Sequence, residues 1–209
     1  MDRVLSTGED RRLRKPPAER RAEIVDAAAR VALDEGLECI TLRRVGDELG
    51  VRPSTIGHYF PVVEELVAEA FGYVAEAELS SLIPHDDDIS AKSQLAQFLS
   101  RALSPDYHDV NRLWINARHL ARYRPQLRER VITQGDRWRE RLTQILQTGC
   151  HTGEFTAQDP EVVALKILVV VDGVSADLNA DPKFPPGVFD MIYDIAEAEL
   201  GQPRGTLRA

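Results

Sequence analysis

The sequence predicts an all-α protein, with a three-helix unit near its N-terminus and a larger helical bundle after it. Apolar residues recur every three to four positions in successive segments, which is the spacing of one helical face. Prolines and glycines separate these segments, and no useful length alternates apolar and polar residues as a strand would. The 209 residues show no internal repeat, so we expect a small domain joined to a larger one.

The first predicted helix spans residues 18–35. Pro16 and Pro17 suit its opening, because a proline at a helix start gives up no internal hydrogen bond. Gly36 suits its end. Residues 1–17 are polar with a basic end, and we expect them to form a flexible arm. One apolar stripe of the helix is expected to face the core: Ile24, Ala28, Val31 and Ala32.

A second, short helix is predicted over 42–49, and a third opens at Pro53. Thr41 is a suitable N-cap for the second helix, and Gly50 ends it. Two short helices joined by a turn of three or four residues form the helix-turn-helix pattern. We therefore predict a helix-turn-helix domain at residues 18–62.

Residues 63–202 are predicted to form the bundle, followed by a tail at 203–209. The acidic segment PHDDD at 84–88 breaks the first bundle helix. The periodic segments predict helices at 62–81, 89–103, 109–123, 125–149, 160–179 and 187–200.

The formal net charge of −8 is unevenly distributed along the chain. Residues 1–60 hold 11 basic and 11 acidic side chains, so the net negative charge lies beyond them. A nucleic-acid partner is therefore not excluded, because local clusters matter more than the total. Cys39 and Cys150 are too few for a disulfide framework, and the N-terminus shows no apolar leader. With no apolar run of membrane-spanning length, we expect a cytoplasmic protein.

The segment VRPSTIGHYF at 51–60 combines small hydroxyl side chains with a closing His-Tyr-Phe triplet. Serine and threonine are short enough to bring a helix near DNA base edges, where their hydroxyls donate or accept. Ile56 and Phe60 are expected to face inward. Arg43 and Arg44 open the preceding helix, within reach of a phosphate or a guanine. The same spacing also fits a plain helical corner in an all-α core, and the flanking sequence makes that alternative less favourable.

The segment TLRRVGDELGVRPSTIGHYFPVVEELVAEAF, with AERRAEIVDAAARVALDEGLECI before it, resembles the DNA-binding domain of the TetR family of transcriptional regulators. The GV before the turn, the HYF and the following EEL carry this resemblance. Two later segments, RLWINARHLARYRPQLRERVITQGDRWRERLTQIL and DPEVVALKILVVVDGVSADLNADP, are similar to the C-terminal domain of BetI-like members. The resemblance implies a homodimeric repressor that binds a palindromic DNA operator and releases it when a small-molecule effector binds.

The resemblance also implies DNA contacts at matching positions. Gly57 stands where many members have a tyrosine, although BetI-like members have a small residue. Val63 stands where most have a phosphate-binding lysine, and we hypothesise that Arg52 or the N-terminal arm supplies the missing charge. The base contacts would come from Arg43, Pro53, Ser54, Thr55 and His58, and the phosphate contacts from Thr41, Arg52 and Tyr59.

The segment VVALKILVVVDGV at 162–174 is apolar on nearly all faces, so a helix formed by it must be buried all round. With the BetI-like resemblance, we favour a dimer interface built from 160–179 and 187–200. A central helix of a monomer core is the alternative. The predicted interface residues are Val163, Ile167, Val170, Val174, Met191 and Ile195.

Aromatic side chains with a few polar groups between them are typical of small-molecule pockets. The alternative for each aromatic residue is an ordinary core position, and for each arginine a solvated ion pair. The resemblance hints at choline-type metabolism without identifying the effector. The predicted effector contacts are Tyr73, Phe98, Trp114, Arg118, Trp138 and Asp172.

The sequence contains no motif of a common enzyme class, and we expect neither catalysis nor a cofactor. The cluster His85 to Asp88 lacks the glycine-containing loop of a calcium site, and the other histidines lack paired ligand spacing, so we expect no metal. Two other classes stay open: an all-α enzyme using His119 and Asp172, and a protein-interaction bundle without sequence-specific DNA binding.

Overall fold

The computed structural model describes residues 16–84, 88–102, 104–180, 183 and 185–208. No strand occurs in these ranges, and the all-α prediction is confirmed. The basic arm before Pro16 and most of the PHDDD loop lie outside the described residues. Helices α1 to α10 are, in order, Pro17–Glu35, Leu42–Leu49, Pro53–Tyr59, Val63–Leu82, Ala91–Ala102, His108–Leu120, Pro125–Thr152, Pro160–Ala180, Pro186–Phe189 and Met191–Glu199.

The helix-turn-helix formed by α2 and α3 packs on a small apolar core. Ile56 and Phe60 are fully buried, as the sequence predicted. In α2, Val45 is fully buried, whereas Leu42 and Leu49 are half-buried. The inward face of α3 is therefore apolar, and its polar residues lie on the other side.

The ends of α2 are fixed by the residues that the sequence indicated. The Thr41 hydroxyl oxygen accepts a hydrogen bond from the Arg44 backbone N–H at 3.0 Å, which confirms it as the N-cap. Gly50 ends the helix with φ of +63°, a conformation that glycine adopts without steric cost.

Gly46 controls how closely α2 approaches the chain that leads into α3. Its carbonyl oxygen accepts a hydrogen bond from the Val51 backbone N–H at 2.9 Å. A Cβ atom on Gly46 would lie 2.9 Å from the Val51 carbonyl oxygen, which is backbone and cannot rotate away. The turn between the two helices therefore requires a residue without a side chain at this position.

Helix α4 joins the helix-turn-helix to the bundle, because it packs against both α1 and α7. Its Leu66 and Phe71 are fully buried in an apolar core that continues through both regions. Two ion pairs hold its outer face, Arg21–Glu69 toward α1 and Arg137–Glu76 toward α7.

The C-terminal region differs from the prediction in two ways. The single helix expected at 187–200 is divided at Asp190 into α9 and α10. The segment expected as a tail packs back on α10, where Leu207 is fully buried. The Arg208 guanidinium pairs with both Asp190 and Asp194 at 2.7 Å, so the returning chain is bonded to the break between the two helices.

Helix α8 presents one face to its own chain and leaves another uncovered. Val163, Ile167 and Val174 are buried within the chain, so the prediction that they face a partner was wrong. Val170 and Ile195 are half-buried, and Met191 is exposed. The helix was expected to be covered on all sides, but its uncovered face carries Val162, Leu165 and Val169, which are 46%, 48% and 60% exposed. None of the helices in the described ranges is both long enough and apolar enough to span a membrane.

Replacing Gly46 with alanine is expected to lower the free energy of unfolding by about 1–3 kcal/mol, because the added methyl group collides with backbone. Gly57→Ala is the matched control, since the nearest atom to its Cβ is the mobile Leu42 Cδ1 at 3.4 Å. That control should be neutral or stabilising by up to about 1 kcal/mol, the gain of replacing a helical glycine. Urea denaturation of both variants measures the difference, and equal stabilities would contradict the packing role of Gly46.

Candidate nucleic-acid interface and internal cavity

The residues predicted to contact DNA lie on the outer side of the helix-turn-helix. Arg52, Pro53, Ser54 and His58 are exposed at and along α3. Thr55 and Tyr59 are half-buried, and the Tyr59 ring lies edge-on to that of His58 at 5.3 Å between centroids. Thr41 is exposed at the start of α2, where its side chain is engaged as the N-cap.

The two arginines of α2 have different surroundings. The Arg43 side chain is 87% exposed and forms a long ion pair with Asp47 at 4.0 Å. Arg44 instead bonds to Glu35 at 2.6 Å and to Glu48 at 2.9 Å. The hydrogen bonds that Arg44 donates to Glu35 and, second in effect, to Glu48 raise its pKa above the ordinary value. Arg43 is therefore available to a phosphate or base, whereas Arg44 holds α2 to α1.

The start of α4, where Val63 stands in place of the lysine common in the family, carries no basic residue in its first turn. Val62 precedes it without a side-chain cap, and the first turn carries Glu64 and Glu65. Arg124 approaches Glu64 at 3.8 Å and so faces a carboxylate. This end of α4 is acidic, and Arg52 is an exposed cation at the start of the neighbouring α3, so the hypothesis that Arg52 or the N-terminal arm supplies the missing charge stays a prediction.

A cavity of about 330 Å³ lies between α4, α5, α6, α7 and α8, and it opens to the surface where Ile132, Leu165 and Val169 of its wall are exposed. Such a volume is at the lower end of small-molecule sites. Apolar and aromatic side chains form most of its wall, with a few polar groups among them. Five of the six predicted effector contacts line this cavity: Phe98, Trp114, Arg118, Trp138 and Asp172.

Tyr73, the sixth predicted effector contact, does not line the cavity. Its ring is 51% exposed and its hydroxyl lies 3.5 Å from Asp26 of α1. Glu78, one of the two α4 residues in the cavity lining, comes five positions after Tyr73. Five positions along an α-helix correspond to one full turn and roughly 140° more, so the Tyr73 and Glu78 side chains lie on different sides of α4.

Glu78 is the principal cavity residue that sequence reasoning missed. It is 7% exposed, and its Oε2 accepts a hydrogen bond from the Trp114 indole N–H at 2.7 Å. Burial raises the pKa of Glu78 to about 7, against an opposing effect of the Trp114 hydrogen bond. Phe71, Ala75 and Leu82 lie on the same stripe of α4 and are buried. This helical phase was the signal in the sequence that marked Glu78 as an inward carboxylate.

The other polar groups of the cavity fall into two kinds. Arg118 donates a hydrogen bond to Asp172 at 2.8 Å and lies over the Trp114 ring at 5.2 Å, so both charges of this pair are matched. By contrast, the Asn111 Nδ2 and the Trp138 Nε1 are buried and have no hydrogen-bond partner among the described residues. A buried donor without a partner is costly, and it marks a place where a ligand group or water fits.

Helix α6 contacts both the cavity and the helix-turn-helix. One of its faces presents Asn111, Trp114 and Arg118 to the cavity. An adjacent face bonds to the end of α1 and the turn after it. There the Asn116 side chain accepts from the Leu37 backbone N–H at 3.0 Å and donates to Glu38 at 2.9 Å. The Arg112 guanidinium donates to the Leu33 carbonyl oxygen at 2.8 Å.

Other chemistries find little support in the part of the chain that the structure describes. No group of three histidine, cysteine, aspartate or glutamate side chains there is placed to hold a metal ion. His119 packs against Tyr123 and does not line the cavity that contains Asp172. Those two residues therefore form no joint site.

An exposed helix-turn-helix bonded to a bundle with an internal cavity defines the class of helix-turn-helix transcriptional regulators. The family model described as bacterial regulatory proteins of the tetR family matches residues 24–70. The model described as BetI-type transcriptional repressor, C-terminal, matches residues 91–195. The chain belongs to the TetR family of transcriptional regulators, with a C-terminal domain of the BetI type.

Solved structures of the same fold cover nearly the whole chain. A TetR transcription regulator from Haloarcula marismortui is 22% identical, with a TM-score of 0.74 over 88% of this chain and 99% of its own. A protein from Saccharomonospora viridis, assigned as a transcriptional regulator and solved with choline, is 20% identical, with a TM-score of 0.73 over 88% of this chain and 98% of its own. Such identities show the fold alone. No curated protein matches the chain.

Replacing Glu78 with glutamine is expected to stabilise the protein at pH 8 but not at pH 5. Because the folded-state pKa is raised from 4.5 to about 7, the carboxyl group favours folding below pH 4.5 and loses that contribution as the pH rises through 7. The gain at pH 8 is up to about 3 kcal/mol. Urea denaturation at both pH values measures it.

Glu76→Gln is the control for this prediction, because Glu76 lies on the same helix in a half-exposed pair with Arg137. Its substitution should not reproduce the difference between pH 5 and pH 8. An equal gain for Glu78→Gln at the two pH values would show that its carboxyl group is not desolvated.

Proposed function

We propose that this protein is a repressor that binds a palindromic operator as a homodimer and releases it when a small molecule enters the cavity. One observation carries the proposal: one face of α6 lines the cavity, and the adjacent face bonds to the end of α1 and to the turn that leads into the helix-turn-helix. A ligand that moves Trp114 or Arg118 also moves Asn116, and with it the Leu37 turn that precedes α2. The ligand shifts operator affinity by its difference in affinity between the two positions of α6.

The dimer is supported by the uncovered face of α8. Val162, Leu165 and Val169 are large apolar residues exposed together on one helix, and Met191 at the start of α10 is exposed as well. An exposed apolar cluster of this kind marks a protein interface. A two-fold dimer presents two recognition helices, and its operator has matching symmetry, with half-sites roughly 34–36 Å apart.

Base contacts are proposed for Arg43, Pro53, Ser54, Thr55 and His58, and phosphate contacts for Thr41, Arg52 and Tyr59. Their exposure along one side of the helix-turn-helix supports this set, and the pairing of Arg44 with glutamates excludes it from the set. Small-molecule release is supported by the cavity and by the choline complex of the Saccharomonospora viridis protein. Because its target is DNA, the protein is proposed to act in the cytoplasm.

The proposal is tested by gel retardation with the DNA upstream of the protein's own gene. Specific retardation that is lost at high salt and on adding an effector supports a regulator. DNA binding that appears only at very low salt, without sequence preference, would instead favour a protein-interaction bundle or an enzyme.

Substituting alanine at Thr55 or His58 is expected to weaken operator binding by about 1–3 kcal/mol and to leave binding of random DNA unchanged, as loss of a base contact does. Arg52→Ala should weaken binding to both DNAs and reduce the salt slope by about one, as loss of a phosphate contact does. Titrations at several salt concentrations measure both effects. Arg204→Ala, in the C-terminal segment, is the control for charge. Equal losses on both DNAs for His58→Ala would reassign it to a phosphate.

Val162→Glu is expected to convert the dimer to a monomer at micromolar concentration, because it places a charge in the apolar centre of the proposed interface. Light scattering coupled to gel filtration measures the molecular mass. Tyr123→Glu is the matched control, since Tyr123 is 72% exposed and lies between α6 and α7. If Val162→Glu stays dimeric, the interface lies elsewhere.

A further inference from the structure

The cavity contains three polar groups whose bonding capacity the chain leaves incompletely used. Glu78 presents a carboxyl group that is bonded to Trp114 through one oxygen. Asn111 and Trp138 present N–H donors that have no partner among the described residues. Both donor side chains are more than nine-tenths buried, at 9% and 8% exposure. Such groups are stable only when a bound molecule or water satisfies them.

The charges around the cavity leave Glu78 as the unbalanced group. Arg118 of α6 pairs with Asp172 of α8 at 2.8 Å. On α7, Arg139 pairs with Asp136 at 3.0 Å. These four are the other charged side chains in the described lining, and each lies in a salt bridge. Glu78 forms no salt bridge within the described residues, so an ionised Glu78 gives the lining one uncompensated negative charge.

We infer that the cavity takes an organic amine that carries its positive charge next to Glu78 and a hydrogen-bond-accepting oxygen next to Asn111 and Trp138. Apart from the two salt-bridged pairs, the remaining wall is apolar, with Phe98 and Leu168 among its members, and suits an uncharged hydrocarbon or aromatic body. An anion would meet Glu78 without compensation. This inference names the chemical class of the effector and therefore rests on the proposed function.

The same arrangement makes binding depend on pH. Without a ligand, desolvation favours the protonated carboxyl group, whose pKa is about 7. The nearby Asp172 raises that pKa and the nearby Arg118 lowers it, whereas Asp136 and Arg139 on α7 neutralise each other. An ammonium group favours the ionised carboxylate, so the amine binds as Glu78 loses its proton. Between pH 6 and pH 8 the ionised fraction rises about tenfold, and the affinity for an amine should rise with it.

The test uses the full-length protein and matched probes. The amines are 4-methoxyphenylalkylamines with two, three and four methylene groups. Each is compared with the carboxylic acid of the same skeleton, which reverses the charge, and with the 4-ethylphenyl amine, which lacks the ether oxygen. Thermal shift selects the best chain length, and calorimetry at pH 6 and pH 8 gives the affinities. We expect the methoxy amine to bind most tightly and the acid most weakly.

Substitutions of the lining residues test which side chain contacts the ammonium group of the probe and which contacts its ether oxygen. Glu78→Gln should weaken amine binding at least tenfold at pH 8 and abolish its pH dependence, whereas the control Glu76→Gln should change neither. Trp138→Phe keeps an aromatic ring at this position but removes the indole N–H donor. It should therefore reduce the preference for the methoxy amine over the ethyl amine. Circular dichroism confirms that each variant is folded.

The inference is overturned if the acids stabilise the protein as well as the amines, if no amine stabilises it, or if Glu78→Gln binds amines unchanged. Its failure is separable from that of the proposed function. Specific retardation of upstream DNA in the absence of any ligand establishes the regulator by itself. Retardation together with acid binding would overturn only the amine class, whereas loss of specific retardation would overturn the repressor whatever the cavity binds.

Discussion

The uninterrupted helix α4 is the constraint on which the two halves of this protein depend. Its first turns bury Leu66 in the core shared with α1, and its last turns carry Glu78 into the cavity. Between them the buried Phe71 contacts the Trp114 ring edge-on, with 4.9 Å between centroids. Trp114 in turn donates its N–H to Glu78. Because a helix is stiff along its axis, the cavity wall and the DNA-binding unit belong to one packed body.

A second connection runs through α6, which is the helix that moves in the proposed release mechanism. The bonds of Asn116 to Leu37 and Glu38 are polar and lie near the surface, so their rearrangement is less costly than repacking the α4 core. Burial of Glu78, by contrast, is unfavourable to the empty protein at neutral pH. A group that weakens the fold and lies in a cavity is typical of a binding site. The cost of its burial is the free energy that a complementary ligand relieves.

The parts of the fold that follow from local rules were predictable. Thr41 as an N-cap and Gly50 as a terminator follow from the chemistry of helix ends, and the burial of Ile56 and Phe60 follows from helical spacing. Tyr73 shows the limit of such reasoning, because being aromatic does not tell which side of α4 a residue occupies relative to its neighbours. The uncovered face of α8 shows the same limit, since an all-apolar sequence has no periodicity to distinguish the chain's own core from a partner.

The sequence determined the all-α class and the helix-turn-helix near its N-terminus, because these depend on spacing within a single segment, and it identified the regulator family through the resemblance of residues 18–71 to known members. Only the tertiary structure decided which residues meet across segments. It brought Glu78 of α4 to Trp114 of α6, paired Arg118 with Asp172 of α8, and removed Arg44 from the DNA-facing set through Glu35. The physical reason is that hydrogen bonding, desolvation and ion pairing depend on distances in space, which sequence spacing fixes within one helix but not between helices.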